Sequence, residues 1–137
     1  MGRVAVDLEL ASNVDMVLAD LNMIPKEKVR RTTVRGYVDT GATRLVLPPN
    51  VATHLGLMPS GHSNATYADK RVAVRDVVNN VWLQLLGRNG IFSAVVEQSR
   101  DDALIGAIVM EELDLLVDCA KQTVVPRDPS GTISEIE

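Results

Sequence analysis

The chain has 137 residues, enough for one domain with one core, and its 46% hydrophobic and 23% charged residues indicate a globular protein. The net charge of −4 argues against a nucleic-acid partner, and the single cysteine, Cys119, excludes an intrachain disulfide. No segment approaches the roughly 20 apolar residues that span a bilayer or forms a signal peptide, so we expect a cytoplasmic protein without a membrane partner.

The first third of the chain predicts strands joined by turns. Val4 to Leu10 alternates apolar and polar residues, which indicates a strand with one buried face. Ser12-Asn13 indicates a turn, and the apolar segment from Asp15 to Leu21 predicts a second strand. Val29 to Val38 predicts another strand, which leads directly into Asp39-Thr40-Gly41-Ala42-Thr43.

The middle of the chain combines a short helix with a hairpin. Leu45-Val46-Leu47 predicts a strand, and the residues after the following prolines predict a short helix that ends at Gly56. The composition of residues 59 to 65 indicates a loop. Tyr67 to Val78 predicts a hairpin whose turn is Ala68-Asp69-Lys70-Arg71.

The last third predicts further short strands and a second helix. The predicted elements are strands at Val81–Leu86 and Ile91–Val96 joined by Gly87-Arg88-Asn89-Gly90, a short buried strand at 103–106, a helix at 108–115, and strands at 116–118 and 123–125. The expected architecture is one mainly β domain over residues 1–126 with one or two short helices. Residues 127–137 are expected to form a flexible acidic tail.

The segment most suggestive of chemistry is Asp39-Thr40-Gly41. Aspartate and glycine are common in turns, so the tripeptide alone favours an ordinary turn. In a catalytic loop, Gly41 would allow a sharp turn close to a substrate, while the Thr40 hydroxyl could join a backbone hydrogen-bond network. The Asp39 carboxylate would then be free to enter a cleft.

The residues around this tripeptide favour the catalytic interpretation. Val38 to Thr43, followed by Leu45-Val46-Leu47-Pro48, resembles the active-site loop of retropepsin-like aspartic peptidases, as found in retroviruses and bacteria. Leu104-Ile105-Gly106, followed by a short helix, resembles the second signature of that family. Between the two signatures, Tyr67 to Val78 lies where the family has its substrate-covering flap. The resemblance covers roughly residues 1 to 126.

This resemblance implies a closed-barrel β fold and a catalytic carboxylate at Asp39. Thr40, Gly41, Ala42 and Thr43 would support the active-site loop. The tripeptide occurs once and the chain is too short for two lobes, so a second copy of the chain would supply the second carboxylate. The implied protein is a homodimeric endopeptidase that hydrolyses peptides without a metal or an organic cofactor.

The sequence departs from the family pattern in two places. The expected flap tip, Ala68-Asp69-Lys70-Arg71, has no glycine, although a mobile hairpin commonly has one. Viral members have an acid–base pair at the positions of Thr43 and Ala107, and both charges are missing here. These departures leave open a second hypothesis, a retropepsin-fold binding or dimerisation module with little or no catalysis.

A third hypothesis is an unrelated β protein in which Asp39-Thr40-Gly41 is an ordinary turn. The other acidic pairs, Asp101-Asp102 and Glu111-Glu112, are expected to be solvated. His54 and His62 lack the spacing of metal ligands, so no metal site is predicted.

Overall fold

The computed structural model describes residues 3–136 and is mainly β. The strands are β1 Val4–Ser12, β2 Arg31–Val38, β3 Leu45–Leu47, β4 Pro59–Thr66, β5 Val72–Leu85, β6 Arg88–Val96, β7 Ala103–Ile105, β8 Leu115–Asp118 and β9 Thr123–Pro126. The helices are α1 Asn13–Asp20, α2 Pro49–His54 and α3 Ala107–Leu113, with a 3-10 helix at Lys26–Lys28. Within residues 3–136, no helix has both the length and the apolar character needed to cross a membrane.

Six strands close into a barrel. Their order is β1-β2-β7-β3-β6-β5, and β1 also pairs with β5, which completes the ring. Val4 pairs with Val38 on one side of β1, and Leu10 pairs with Leu83 on the other. The predicted closed-barrel fold is confirmed.

Branched aliphatic side chains fill the interior, as the scarcity of aromatic residues requires. Buried positions alternate with more exposed ones in β3, in β7 and in residues 81–85 of β5, so the period of two in the sequence matches the pleat of these strands. The side chains with 1% exposure or less include Leu8, Leu10, Leu45, Leu47, Leu55, Leu83 and Ile105.

Helix α1 replaces the strand predicted between Asp15 and Leu21, and that prediction was wrong. The Ser12 side-chain oxygen accepts a hydrogen bond from the backbone N–H of Asp15 at 3.2 Å, which caps the helix. Ser12 and Asp15 have the spacing of a helix-start motif. A short apolar run fits a strand or a helix equally well, and the cap decides between them here.

Strand β4 replaces the loop predicted for residues 59–65, which was also wrong. Polar residues of this segment pair in antiparallel register with β5, for example Asn64 with Val74. The backbone hydrogen bonds of that pairing come from the next strand, across the turn at residues 67–71, so the composition of residues 59–65 alone could not reveal them. β4 and the first half of β5, residues 59–78, form a hairpin that projects from the barrel; it is called the β4–β5 hairpin below.

Strand β5 is longer than predicted and bends between its two halves. The pairing with β6 shifts between Val78 and Val81, and Asn80 has a φ of 63°. This irregularity lets the first half join the hairpin while the second half stays in the barrel. The following turn consists of Leu86 and Gly87, both with positive φ, so Arg88 to Gly90 already belong to β6 rather than to the predicted turn.

The two predicted helices and the final hairpin are present with small shifts. α2 ends before Gly56, which has a φ of 61°, and α3 ends at Leu113 rather than at residue 115 because Asp114 takes a left-handed conformation. β8 and β9 form the expected hairpin. After it, Arg127 binds the Asp114 carboxylate at 2.6 Å.

The domain boundary at residue 126 and the flexibility of the tail stay predictions, and Glu137 lies outside the described residues.

Candidate active site

Asp39, Thr40 and Gly41 form a tight turn at the end of β2. The backbone N–H of Gly41 donates to Asp39 Oδ1 at 3.0 Å, and the N–H of Ala42 donates to the Asp39 carbonyl oxygen at 3.0 Å. A Cβ at position 41 would lie only 3.2 Å from the same Oδ1, so the bare glycine backbone suits this approach. Asp39 is half-buried, whereas Thr40 and Gly41 are exposed. The loop itself thus fixes the direction of the carboxylate.

Strand β7, which contains most of the second sequence signature, supports this turn from behind. β7 lies between β2 and β3, parallel to the first and antiparallel to the second. Its residue Leu104 pairs with Tyr37 and with Val46. The backbone N–H of Asp39 donates to the Ile105 carbonyl oxygen at 3.0 Å. Residues distant in sequence therefore meet where the carboxylate leaves the sheet.

Gly106 and the start of α3 hold the other end of the loop. The N–H of Ala107 donates to the carbonyl oxygen of Ala42 at 2.8 Å, and that of Ile108 donates to the carbonyl oxygen of Thr43 at 3.0 Å. These N–H groups belong to the first turn of a helix, where no partner exists within the helix. A Cβ on Gly106 would lie 2.6 Å from the Thr43 carbonyl carbon, so only glycine allows the two backbones to approach this closely.

The predicted flap-tip residues form the turn of the β4–β5 hairpin. The N–H of Lys70 donates to the Tyr67 carbonyl oxygen at 2.8 Å, and Lys70 takes the left-handed conformation with a φ of 67°. The Asp69 carboxylate accepts a bond from Arg71 Nε at 2.8 Å. Ala68 lies in the same turn. A lysine thus occupies the position where such hairpins usually have a glycine.

A cavity of about 910 Å³ separates the Asp39 turn from the β4–β5 hairpin. It is lined by the active-site loop, by Leu104 of β7, by residues 63–68 of the hairpin and by residues that follow β6. A second cavity of about 360 Å³, between β6 and α3, contains none of the predicted site residues. The Asp39 carboxylate therefore lies on the wall of a cleft between the active-site loop and the β4–β5 hairpin.

The sequence profile of the aspartyl protease family matches residues 27–109, which is more than half of the chain and includes both signatures. The chain belongs to the aspartyl protease family. Among curated proteins, the sequence finds no significant match.

Solved structures show the same fold as this aspartyl protease family member. EIAV protease complexed with the inhibitor HBY-793 is 13% identical, with a TM-score of 0.58 over 82% of this chain and 88% of that chain. The retroviral protease-like domain of Ddi1 from Leishmania major is 17% identical, with a TM-score of 0.51 over 71% of this chain and 81% of that chain. At these identities the likeness concerns the fold alone. The retropepsin-like architecture expected from the two signatures is confirmed.

Glu97, a buried carboxylate beside the candidate site, was not identified from the sequence. Glu97, directly after β6, has 7% exposure and lines the same cavity as Asp39. It accepts hydrogen bonds from Tyr67 Oη and, at 3.0 Å, from Arg75 Nε. Both donors belong to the β4–β5 hairpin, Tyr67 at its turn and Arg75 on β5. Glu97 thus connects the turn and the β5 arm of the hairpin to the end of a barrel strand.

Glu97, Tyr67 and Arg75 also shift one another's pKa values. Burial acts to raise the pKa of Glu97, but the hydrogen bonds from Tyr67 and Arg75 outweigh burial and hold that pKa below its ordinary value. The hydrogen bond to Glu97 in turn raises the pKa of Tyr67. The only local signal in the sequence is a glutamate that ends an apolar strand, and such residues are usually solvated.

The two histidines of the chain contact different partners. His54 Nε2 lies 3.3 Å from the Arg31 carbonyl oxygen, and His62 Nε2 lies 3.2 Å from Asp76 Oδ1 on the β4–β5 hairpin. In the part of the chain that the structure describes, no three His, Cys, Asp or Glu side chains converge as metal ligands would.

Proposed function

We propose that this protein is an aspartic endopeptidase that works as a homodimer, with a water molecule activated between two Asp39 carboxylates, one from each chain. The single observation that supports it best is the position of Asp39. Strands β2 and β7 hold it on the wall of a cleft, and the exposed Thr40 and Gly41 beside it offer a surface for a second, identical loop.

The chemistry requires a second carboxylate close to the first. Two carboxylates about 3 Å apart cannot both ionise cheaply, so the pair shares one proton. The charged member removes a proton from the water, which attacks the carbonyl carbon of the scissile peptide bond. The protonated member polarises the carbonyl oxygen. The bond from carbon to nitrogen then breaks as a proton passes to the leaving amine.

The β4–β5 hairpin is proposed to cover the substrate as a flap, with Ala68, Asp69, Lys70 and Arg71 at its tip. Ala68 lines the same cavity as Asp39, which supports this role. An extended peptide between the hairpin and the loop would be shielded from bulk water during the reaction. The proposed substrate is therefore a peptide or protein segment without stable secondary structure.

Hydrolysis of a peptide library between about pH 4 and pH 7 tests this proposal. Asp39→Asn should lower kcat/KM at least about a thousandfold, while circular dichroism and sedimentation stay those of the wild-type dimer. Asp20→Asn, on an exposed position of α1, is the matched control and should keep full activity.

Mixing the two proteins tests whether the site is shared. With random pairing of equal amounts, about one quarter of the dimers have two wild-type chains, which is half the number formed without the variant, so activity per wild-type chain should fall to about one half. Unchanged activity per wild-type chain would refute a shared site. A wild-type dimer that cleaves no library peptide would favour the alternative, a retropepsin-fold binding or dimerisation module with weak or absent catalysis.

A further inference from the structure

The net charge of the residues that line the cleft is opposite in sign to the net charge of the whole chain. The chain has a net charge of −4. The cleft is lined by three arginines, Arg3, Arg44 and Arg100, and by two carboxylates, Asp39 and Glu97. A cleft lined mainly by one sign of charge attracts ligands of the opposite sign.

Two of these five charges are neutralised by neighbours. Arg100 Nη2 lies 2.7 Å from Asp102 Oδ1. Glu97 Oε1 lies 3.0 Å from Arg75 Nε. Each pair is bound by hydrogen bonds between charged groups, so neither Arg100 nor Glu97 presents a full charge to a ligand.

Within the described part of the chain, Arg3 and Arg44 have no such neighbour. Arg44 is half-buried, and its Nη2 donates to the neutral hydroxyl of Ser93 at 2.7 Å. Arg3 is exposed at the edge of the cleft. The nine ion pairs found among residues 3–136 include neither arginine. The Ser93 contact uses one of the five N–H donors of Arg44, so others can bind a ligand.

We propose that Arg44 is a specificity-determining residue that makes this cleft prefer peptides with a glutamate or aspartate close to the scissile bond. This inference rests on the proposed peptidase function. A guanidinium matches a carboxylate with two parallel hydrogen bonds, and half-burial strengthens them relative to a fully solvated pair. Arg3 increases the positive potential at the entrance of the cleft.

The position of Arg44 in the fold supports this role. Arg44 lies between the active-site loop and β3, whose residue Val46 also lines the cavity. Ser93, on β6, holds the guanidinium from the barrel side. In a two-fold dimer the same arrangement occurs twice, so an acidic residue should be favoured on either side of the cleaved bond.

The test uses matched peptides that have glutamate, glutamine or lysine at each position within three residues of the cleaved bond. Wild-type enzyme should cleave the best glutamate peptide with a kcat/KM about tenfold above its glutamine counterpart. Arg44→Gln should abolish most of this difference, and Arg44→Glu should reverse it in favour of lysine. The preference should also shrink at high salt.

Two further variants separate charge recognition from folding. Arg3→Gln changes an exposed side chain and should reduce the glutamate preference about threefold while leaving the fold intact. Arg35→Gln is the control, because Arg35 lies on β2, outside the cleft, and its guanidinium is 3.7 Å from Asp7. It should leave the preference unchanged.

A binding measurement distinguishes failure of this inference from failure of the proposed function. Fluorescently labelled glutamate and glutamine peptides would be titrated against the Asp39→Asn protein, and the glutamate peptide should bind about tenfold more tightly. Equal cleavage or equal binding of the two peptides, or no binding of either, would overturn the preference. Absence of cleavage combined with tighter glutamate binding would overturn only the peptidase proposal.

Discussion

Glu97→Gln should lower the free energy of unfolding by about 2 kcal/mol at neutral pH. The Glu97 side chain is 9% exposed and Arg75 is 28% exposed, so water screens this ion pair only partly. Glutamine keeps the shape of the side chain but loses its charge. Hydrogen bonds to a charged group contribute about 1.5 to 3 kcal/mol, against about 1 kcal/mol for neutral ones, and Glu97 accepts two, from Arg75 and Tyr67. A loss of roughly 1 kcal/mol for each bond gives the total.

The loss of stability caused by Glu97→Gln should become smaller as the pH falls. The pKa of Glu97 lies below its ordinary value of 4.5. A carboxylate of this kind stabilises the fold fully above the unfolded-state pKa, and its contribution is lost as the pH falls through the folded-state pKa. The stability difference between wild type and variant should therefore be largest near neutral pH and shrink below about pH 4.5.

Urea unfolding followed by the fluorescence of Trp82, the one tryptophan in the sequence, measures both quantities. Hydrogen exchange should show faster opening of residues 59–78 in the variant, because Glu97 binds the turn and the β5 arm of the β4–β5 hairpin. Glu27→Gln, at an exposed position, is the control and should change stability by less than about 0.5 kcal/mol. A Glu97→Gln protein as stable as wild type at pH 7, or a difference that grows in acid, would refute this reasoning.

Two further predictions concern residues that hold the fold around the site. Asp15→Asn should cost about 2 kcal/mol, because the buried carboxylate accepts bonds from the Arg30 backbone N–H at 3.0 Å and from Arg30 Nε at 2.8 Å; thermal unfolding measures it. Gly106→Ala should cost at least about 3 kcal/mol or prevent folding, because the new Cβ would lie 2.6 Å from backbone atoms of Thr43 and Arg44. Soluble yield and urea unfolding measure this second loss.

Matched controls make these losses interpretable. Asp20→Asn changes the charge of the same helix, α1, at an exposed position, so it should leave the melting temperature nearly unchanged. Equal melting temperatures for Asp15→Asn and wild type would show that the ion pair with Arg30 adds nothing to stability. A Gly106→Ala protein with wild-type stability would show that the contact with the active-site loop can relax.

Several strands and the two signatures were predictable because they depend on local patterns. Alternation from Val4 to Leu10 predicts the strand that becomes β1, and the turn residues after β2 and β7 predict where those strands end. Gly106 is also recognisable from sequence. The structure explains why glycine is needed at this position: the backbone of residue 106 lies very close to the backbone of the active-site loop.

The errors arose where local composition was ambiguous. The apolar run after Ser12 became α1 because its cap and the pair between Asp15 and Arg30 favour a helix there. The polar residues of β4 became a strand because β5 supplies the hydrogen bonds. Arg30 and β5 lie outside the short segments whose composition was ambiguous, whereas the Ser12 cap was a local signal.

The family, the mainly β architecture and the loop that contains Asp39 could be inferred from sequence alone, since these follow from residues close together in the chain. Which charges meet in the cleft depends on the tertiary structure. Glu97 is buried because Tyr67 and Arg75 reach it from the β4–β5 hairpin, while Arg44 meets only a neutral hydroxyl. The energy of a charge depends on its neighbours in space and on its exposure to water, and closure of the barrel fixes both.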